Sequence, residues 1–430
     1  MTNHKHAATT TWEAHAREQV IQAARDLALK DFQGVGTGPG ASNPAFAAVA
    51  GTGSRLWLDT GDLAAARNLW SAELSALTTN NTLVNKVVQT GALDHDLLSA
   101  ARELRDRVPS LSENDVVLEL SFIANARVSL KLVEDLGAQV SVELHPSVGD
   151  DIEGTMLFAR RYHALCPERF VIKVPLTPDG FLATRRLSRQ GIPVNYTIGF
   201  SARQNYLATY FSRPRYVNVF LGRLNSVIAD NGLGDGINVG EKATLASQRA
   251  VLEARSAEST HPTMQIAASI RNGQQVADLA GVDVLTIPPE AAQQYLELDV
   301  DLDSIRSRVN EDPEVRFADD KSAEEVGASV LWEVGPGIRE VTSALSSVRT
   351  DDWRGAELVQ FVEDHGVRDL FYHWQPEEIA EIWAQGKIPE LARWQSKVAL
   401  DTLMSMAALQ SFAADQQALD DRLRGLITKA

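Results

Sequence analysis

The chain has 430 residues, of which 44% are hydrophobic, and a formal net charge of -16. This length and composition allow a large buried core, and the acidic balance excludes non-specific nucleic-acid binding, because no basic excess neutralises phosphates. The single cysteine, Cys166, excludes an intramolecular disulfide framework. An anionic ligand would therefore need a local cluster of arginines.

The sequence contains no recognisable targeting, membrane or metal-binding signal. Residues 1–20 lack the apolar segment of a secretory leader, and no run approaches the roughly 20 apolar residues of a membrane span. His4 and His6 are close together but match no metal-ligand spacing. We therefore expect a cytoplasmic protein that uses no metal and no cofactor and has no membrane or nucleic-acid partner.

The first 54 residues are predicted to be an extension of the main domain. A helical pattern runs from about Trp12 to Lys30. It is followed by the glycine-rich stretch 34–40 and by a segment of small residues up to Ser54, for which we predict a loop.

From Arg55 onward, short apolar segments alternate with amphipathic helical patterns. Segment 116–136 begins like a strand, but its length and a cap at Asn114 favour a helix. Eight strand-helix units over residues 55–300 predict an α/β protein with a parallel (β/α)8 TIM barrel. The predicted strands are 55–59, 76–80, 140–143, 170–176, 193–200, 216–221, 264–268 and 282–287, and the predicted helices include 62–74, 94–107, 149–165, 180–190, 201–211, 241–256 and 273–279.

One lysine lies at the centre of the fourth predicted strand. Because side chains alternate along a strand, Lys173 shares a face with Val171 and Pro175 and points into the fold. Burying an ammonium ion without a partner costs several kcal/mol, so such a lysine is either paired or neutral. A neutral amine is the nucleophile that forms a Schiff base with a carbonyl substrate. The alternative interpretation is a lysine that reaches solvent from an edge strand.

Polar side chains end or follow most of the other predicted strands, where the chemistry of a (β/α)8 barrel is located. Each has an ordinary explanation as a helix cap, a turn residue or a strand residue. Together they describe a cavity with one amine, two carboxylates, neutral hydrogen-bonding groups and two guanidinium groups. They are Asp59, Thr78, Thr79, Asn80, Glu143, Lys173, Asn195, Thr197, Ser201, Asn218, Arg223, Ser269 and Arg271.

Eight ordered motifs between Trp57 and Pro289 resemble those of the Schiff-base-forming transaldolase family. The resemblance implies transfer of a dihydroxyacetone unit from fructose 6-phosphate or sedoheptulose 7-phosphate to an aldose phosphate, as in the pentose phosphate pathway. The helix around 411–419 also resembles the closing helix of that family. The motifs are LDTGD (58–62), LTTNNTL (77–83), VSVEL (140–144), FVIKVPLTPDG (170–180), GIPVNYTIGFS (191–201), VFLGR (219–223), AASIRN (267–272) and LTIPP (285–289).

The resemblance implies a role for each matching residue. Lys173 would be the Schiff-base nucleophile, and Asp59 would take the proton from the C4 hydroxyl of the donor. Glu143 would move protons through a water held partly by Thr197. The implied substrate-binding residues are Asn80 for the dihydroxyacetone unit, Asn195, Asn218 and Phe220 around it, and Arg223, Ser269 and Arg271 for the sugar phosphate.

Two positions and one long segment depart from the family pattern. The family usually has proline at the position of Asn81 and serine at that of Asn218, where the longer side chain could change the contact with the donor's C1 hydroxyl. Residues 301–405 are an added helix-rich segment, with a helix beginning at Pro376, before a closing helix at 406–430. We interpret this segment as packing on the barrel or as a homo-oligomer surface, with a lid over the site as the alternative.

Two other functions compete with transfer. Fructose 6-phosphate aldolases resemble the same fold but tend to have glutamine at the position of Glu143 and tyrosine at that of Phe220, so this chain has the transferase pair. A non-catalytic phosphosugar-binding barrel is disfavoured because Lys173, Glu143 and Asp59 occur together. The acceptor stays open between erythrose 4-phosphate, glyceraldehyde 3-phosphate and a specialised aldehyde.

Overall fold

A closed barrel of eight parallel strands forms the centre of the computed structural model, which describes residues 14–38 and 40–428. Each strand pairs with the next one in the chain, and the first pairs with the eighth. The predicted (β/α)8 fold is thereby confirmed. The strands are β1 (Arg55–Asp59), β2 (Leu74–Thr78), β3 (Gln139–Glu143), β4 (Phe170–Pro175), β5 (Val194–Thr197), β6 (Tyr216–Phe220), β7 (Met264–Ala268) and β8 (Val284–Ile287).

Helices surround the barrel and continue before and after it in the chain. The start predicted for the first helix, near Trp12, lies outside the described residues. Among the helices that are described, none combines the length and apolarity needed to cross a bilayer. The helices are α1 (Ala14–Leu29), α2 (Pro44–Ala50), α3 (Leu63–Leu69), α4 (Asn81–Gln89), α5 (Asp94–Arg107), α6 (Glu113–Leu136), α7 (Ile152–Leu165), α8 (Pro178–Arg189), α9 (Ala202–Leu207), α10 (Leu221–Asp230), α11 (Val239–Ala257), α12 (Gln274–Asp278), α13 (Pro289–Glu297), α14 (Pro336–Ser346), α15 (Gly355–Asp364), α16 (Pro376–Gln385) and α17 (Leu400–Ile427).

The ambiguous segment before β3 is the helix α6, as predicted, but its cap is Ser112 and not Asn114. The Ser112 hydroxyl accepts a hydrogen bond from the Asp115 N–H (3.2 Å), and the Asp115 carboxylate accepts one from the Ser112 N–H (3.0 Å). This capping box satisfies two N–H groups that the helix itself leaves unpaired. Helices α1, α4, α5 and α17 all pack against α6, which explains why most of its residues are buried, polar ones such as Glu119 and Asn125 included.

The prediction of a loop up to Ser54 was wrong, because this region contains α2. Asn43 caps the helix by accepting hydrogen bonds from the N–H groups of Ala45 (3.0 Å) and Phe46 (3.4 Å). Proline at position 44 favours the first helical turn. The Phe46 ring stacks on Tyr295 of α13, with ring centroids 6.1 Å apart. A helix of seven residues is too short to show an apolar periodicity in the sequence, so its buried face becomes apparent only from its packing against α13.

Inward-facing side chains fill the barrel in layers. Trp57 of β1 and Tyr216 of β6 are buried, and their ring centroids lie 4.8 Å apart. Two residues further along the same strands, Asp59 and Asn218 face the same way, because side chains alternate along a strand. An apolar layer therefore supports a polar layer at the carboxyl ends of the strands.

The C-terminal helices pack around the barrel, and α17 covers part of its carboxyl end. Helix α14 contacts α9, α15 contacts α8, and α16 contacts α17. Asp401 is fully buried at the start of α17 and accepts hydrogen bonds from Ser201 Oγ (2.7 Å) and from Arg203 Nε and Nη2 (both 2.8 Å). This attachment to the start of α9 places the middle of α17, with Phe412 and Asp415, at the barrel cavity.

Candidate active site

A cavity of about 250 Å³ opens at the carboxyl end of the barrel. It is lined by every residue to which the family resemblance assigns a role except Glu143 and Thr197, which are buried in the adjoining strands β3 and β5. Of the other polar candidates, Thr78 lines the cavity, whereas Thr79 and Ser201 do not. The lining residues with an assigned role are Asp59, Asn80, Lys173, Asn195, Asn218, Phe220, Arg223, Ser269 and Arg271.

Lys173 is buried on β4, with 5% of its surface exposed. The sheet register pairs it with Glu143 on β3 and with Asn195 on β5, so the three residues form one row. Its Nζ atom donates a hydrogen bond to the Thr79 carbonyl oxygen (3.2 Å), while Glu143 Oε1 lies 3.9 Å away. The second distance is too long for a direct hydrogen bond, so the carboxylate acts on the amine through its charge.

Glu143 is fixed through only one of its two oxygen atoms. Its Oε2 accepts a hydrogen bond from the backbone N–H of Asn81, the first residue of α4 (3.0 Å). Its Oε1 and the hydroxyl of Thr197 are buried and have no hydrogen-bond partner among the described residues. Burial raises the pKa of Glu143, and the charge of Lys173 and the Asn81 N–H oppose that rise. Buried polar atoms are normally satisfied by protein or by ordered water.

Asp59 is oriented by a chain of two hydroxyl groups. Thr78 Oγ1 donates to Asp59 Oδ1 (2.6 Å), and the Thr286 hydroxyl lies 2.7 Å from that of Thr78. Because Thr78 has a single hydroxyl hydrogen, Thr286 is the donor to it. Burial raises the pKa of Asp59, and the positive charge of Lys173 opposes this effect. A carboxyl group with a raised pKa is suited to exchanging a proton near neutral pH.

Two asparagine amides continue the polar layer beside Lys173. Asn195 Nδ2 donates to Ser141 Oγ (3.0 Å), and Asn218 Nδ2 donates to Asn195 Oδ1 (3.3 Å). Asn218 Oδ1 accepts from the Gly199 N–H (3.2 Å). Asn218, a departure from the family pattern, is therefore integrated in the hydrogen-bond network of the site.

A cationic group lies between two aromatic rings of the cavity. Arg223, in the first turn of α10, is buried, and its guanidinium carbon lies 5.8 Å from the Phe220 ring centroid and 5.3 Å from that of Phe412. Its Nη1 atom has no hydrogen-bond partner among the described residues. Burial and the nearby charge of Arg271 lower the pKa of Arg223 to about 10. A bound anion would give the Nη1 donor an acceptor, and its negative charge would offset the repulsion between the two guanidinium groups.

Gly222 makes room for the second arginine. A Cβ atom at this position would lie 2.3 Å from the Ser269 carbonyl oxygen and 2.5 Å from Arg271 Nε. Only glycine therefore allows β7 and the Arg271 side chain to approach the start of α10 so closely. Arg271 is exposed at the rim of the cavity.

Three lining residues from the C-terminal part of the chain were missed by sequence reasoning. They are Lys387, after α16, and Phe412 and Asp415, on α17. Asp415 accepts a hydrogen bond from the Thr82 hydroxyl. Phe412 and Asp415 could have been found, because residues three apart share a helix face and the closing helix had been recognised. Lys387 carried no local signal, because one lysine in a polar turn is typical of any surface.

The chain is similar to known transaldolases over its barrel. The family model "Transaldolase/Fructose-6-phosphate aldolase" matches residues 56–330. A "Probable transaldolase" of Thermus thermophilus is 31% identical over 246 residues, which cover 56% of this chain and 90% of the relative. A "Probable transaldolase" of Kosmotoga olearia is 34% identical over 160 residues, which cover 37% of this chain and 65% of the relative.

Proposed function

The chain belongs to the transaldolase/fructose-6-phosphate aldolase family, and on that premise we propose that it is a transaldolase. The donor is fructose 6-phosphate or sedoheptulose 7-phosphate, the acceptor is an aldose phosphate, and the reaction is that of the pentose phosphate pathway. One observation carries the proposal: a buried amine on β4 has two separately held carboxyl groups around it, Glu143 and Asp59.

Imine formation is assigned to Lys173 and Glu143. The neutral amine attacks the C2 carbonyl carbon of the ketose, one proton from the amine and one from the Glu143 carboxyl group move to the carbonyl oxygen, and water leaves as the protonated C=N bond forms. The 3.9 Å between Lys173 Nζ and Glu143 Oε1 suits proton transfer through one water. The hydroxyl of Thr197 on β5, which has no partner within the described part of the chain, supports this arrangement, since it could bind the same water.

Carbon-carbon cleavage is assigned to Asp59. Its carboxylate takes the proton of the C4 hydroxyl, the C3–C4 bond breaks, and its electrons move toward the imine. C4 leaves as the aldehyde carbon of an aldose phosphate, and the dihydroxyacetone unit stays on Lys173 as an enamine. The same steps in reverse join this unit to the acceptor, and water then releases the new ketose from the lysine. The Thr286–Thr78 hydroxyl pair holds Asp59 in the orientation that both directions need.

The phosphate group of the sugar is assigned to Arg223, Arg271 and Ser269. Arginine is suited to this role because its planar guanidinium group can donate two parallel hydrogen bonds to a phosphate. Among the residues that the structure describes, the Arg223 group has a buried donor without a partner, and the positive charge of Arg271 is close to it.

The apolar wall of the cavity favours transfer over release of dihydroxyacetone. The Phe220 ring lies between Phe200 and Phe412, with centroid distances of 5.8 and 6.1 Å. Phenylalanine has no hydroxyl group to orient a hydrolytic water, and excluding water protects a reactive carbanion.

The test of this function compares fructose 6-phosphate alone with the same donor plus erythrose 4-phosphate, followed by a panel of other aldehydes. We expect slow donor loss alone and rapid turnover with an acceptor. Free dihydroxyacetone released equally fast without acceptor would identify an aldolase instead. Absence of both turnover and a borohydride-trapped adduct would favour a non-catalytic phosphosugar-binding barrel.

The hydrogen bond from Asn81 to Glu143 predicts a pH effect. Proline has no N–H but is favoured at the first helical position, so Asn81→Pro should keep α4 and remove the donor to Glu143. Because that donor stabilises the carboxylate, its loss raises the pKa of Glu143 further. We expect the acid limb of the pH–rate profile to move to higher pH. Asn81→Ala keeps the N–H and is the matched control, so equal profiles for the two variants would contradict the prediction.

A further inference from the structure

The part of the chain that follows the family match, which ends at residue 330, contributes a cation to the cavity. Lys387, in the turn after α16, lines the cavity together with Arg223 and Arg271. Within residues 14–38 and 40–428, none of these three cations forms a salt bridge with a carboxylate. The chain as a whole carries a net charge of -16. The cavity is also lined by the carboxyl groups of Asp59 and Asp415, but its cationic side chains are twice as many: Lys173, Arg223, Arg271 and Lys387. An excess of positive charge in a cavity of an acidic protein is a feature of anion-binding sites.

Lys387 occupies a turn that the fold holds in place. Gly386 ends α16 with a φ angle of +79°, which redirects the chain and favours glycine. Asn231 then ties the turn to α10: its Nδ2 donates to the Pro389 carbonyl oxygen (3.0 Å), and its Oδ1 accepts from the Leu391 N–H (2.8 Å).

The hydrogen bonds of Asn231 attach the turn that contains Lys387 to α10, the helix that carries the buried Arg223. Asn231 directly follows α10, and Arg223 lies in the first turn of the same helix. Because a helix is stiff, this attachment holds the backbone around Lys387 at a constant distance from the first turn of α10, where Arg223 lies. The turn that contains Lys387 is thus attached to α10, the helix that supplies Arg223 to the cavity.

We infer that Lys387 is a third cation of the phosphate-binding site, beside Arg223 and Arg271, so that the chain beyond residue 330, where the family match ends, is part of the substrate site. The inference rests on the proposed function and names the ligand as the phosphomonoester dianion of a sugar phosphate. The two kinds of cation have different tasks. Arg223 offers planar, buried donors, whereas Lys387 adds an exposed point charge on a long side chain at the rim.

The first test measures binding of inorganic phosphate by titration calorimetry, which needs no turnover. Because Lys387 is exposed, Lys387→Gln should fold normally and weaken phosphate binding about threefold to tenfold, with Lys387→Arg restoring it. Lys397→Gln is the matched control: Lys397 is exposed in the same added segment but lies 5.8 Å over the Trp394 ring and does not line the active-site cavity. We expect wild-type binding in this control.

The second test compares kcat/KM for fructose 6-phosphate and for fructose. Lys387→Gln should reduce only the value for the phosphorylated donor, and the loss should shrink at high salt because an exposed charge is screened. Equal losses for both donors, or phosphate binding unchanged in Lys387→Gln but weakened in Arg223→Gln, would overturn the inference and leave the transaldolase proposal intact. Failure of the proposed function itself would instead appear as a wild-type protein without transfer activity.

Discussion

Replacement of Lys173 by alanine is expected to abolish turnover and to abolish the borohydride-trapped adduct with fructose 6-phosphate. The reason is that Lys173 provides the amine on β4 that lies in the cavity between Glu143 and Asn195. Without it no covalent bond holds the dihydroxyacetone unit during transfer. Intact mass after borohydride treatment measures the adduct directly, and a thermal melt checks that the variant is folded.

The matched control for this experiment is Lys131→Ala. Lys131 is an exposed lysine of α6 whose Nζ pairs with Glu134 at 3.0 Å, away from the cavity. Activity and adduct should both match the wild type in this variant. A trapped adduct that persists in Lys173→Ala and maps to another lysine would show that the nucleophile has been assigned wrongly.

Asp59→Asn is expected to slow carbon-carbon cleavage by about 10²- to 10⁴-fold, the usual contribution of a positioned proton carrier. Asparagine has almost the same shape, and its side-chain oxygen can still accept the hydrogen bond from Thr78. Imine formation uses Lys173 and Glu143, so it should continue. The trapped adduct should therefore shift in mass from a dihydroxyacetone unit to the uncleaved hexose phosphate.

Asp415→Asn is the comparison that tests this assignment. Asp415 is another carboxyl group lining the same cavity, but it lies on α17 and is bound by Thr82. We expect the dihydroxyacetone adduct to form normally in this variant. If Asp415→Asn instead accumulated the hexose adduct while Asp59→Asn did not, Asp415 would be the base for cleavage.

The barrel and half of the residues that line the cavity were predictable because their signals are local. A strand buried on both faces is a short apolar run, and a polar residue at its carboxyl end identifies a candidate for the site. Lys173 on β4 is the clearest case. The ends of the strands were less predictable. Strand β2, for example, ends at Thr78 and not at the predicted Asn80, because the Asn80 side chain caps α4 by accepting a hydrogen bond from the Leu83 N–H.

Tertiary structure alone decided which groups complete the site. The Asn81 N–H that binds Glu143 is a backbone donor, and every residue other than proline has one, so no residue type indicates it. The position of the turn with Lys387 depends on the hydrogen bonds of Pro389 and Leu391 with Asn231, which is more than 150 residues earlier in the chain. Contacts of this kind join segments that only the folded chain brings together. The sequence by itself predicted the barrel from the alternation of strands and helices, the inward amine from alternation within one strand, and the two carboxyl groups from their places at strand ends.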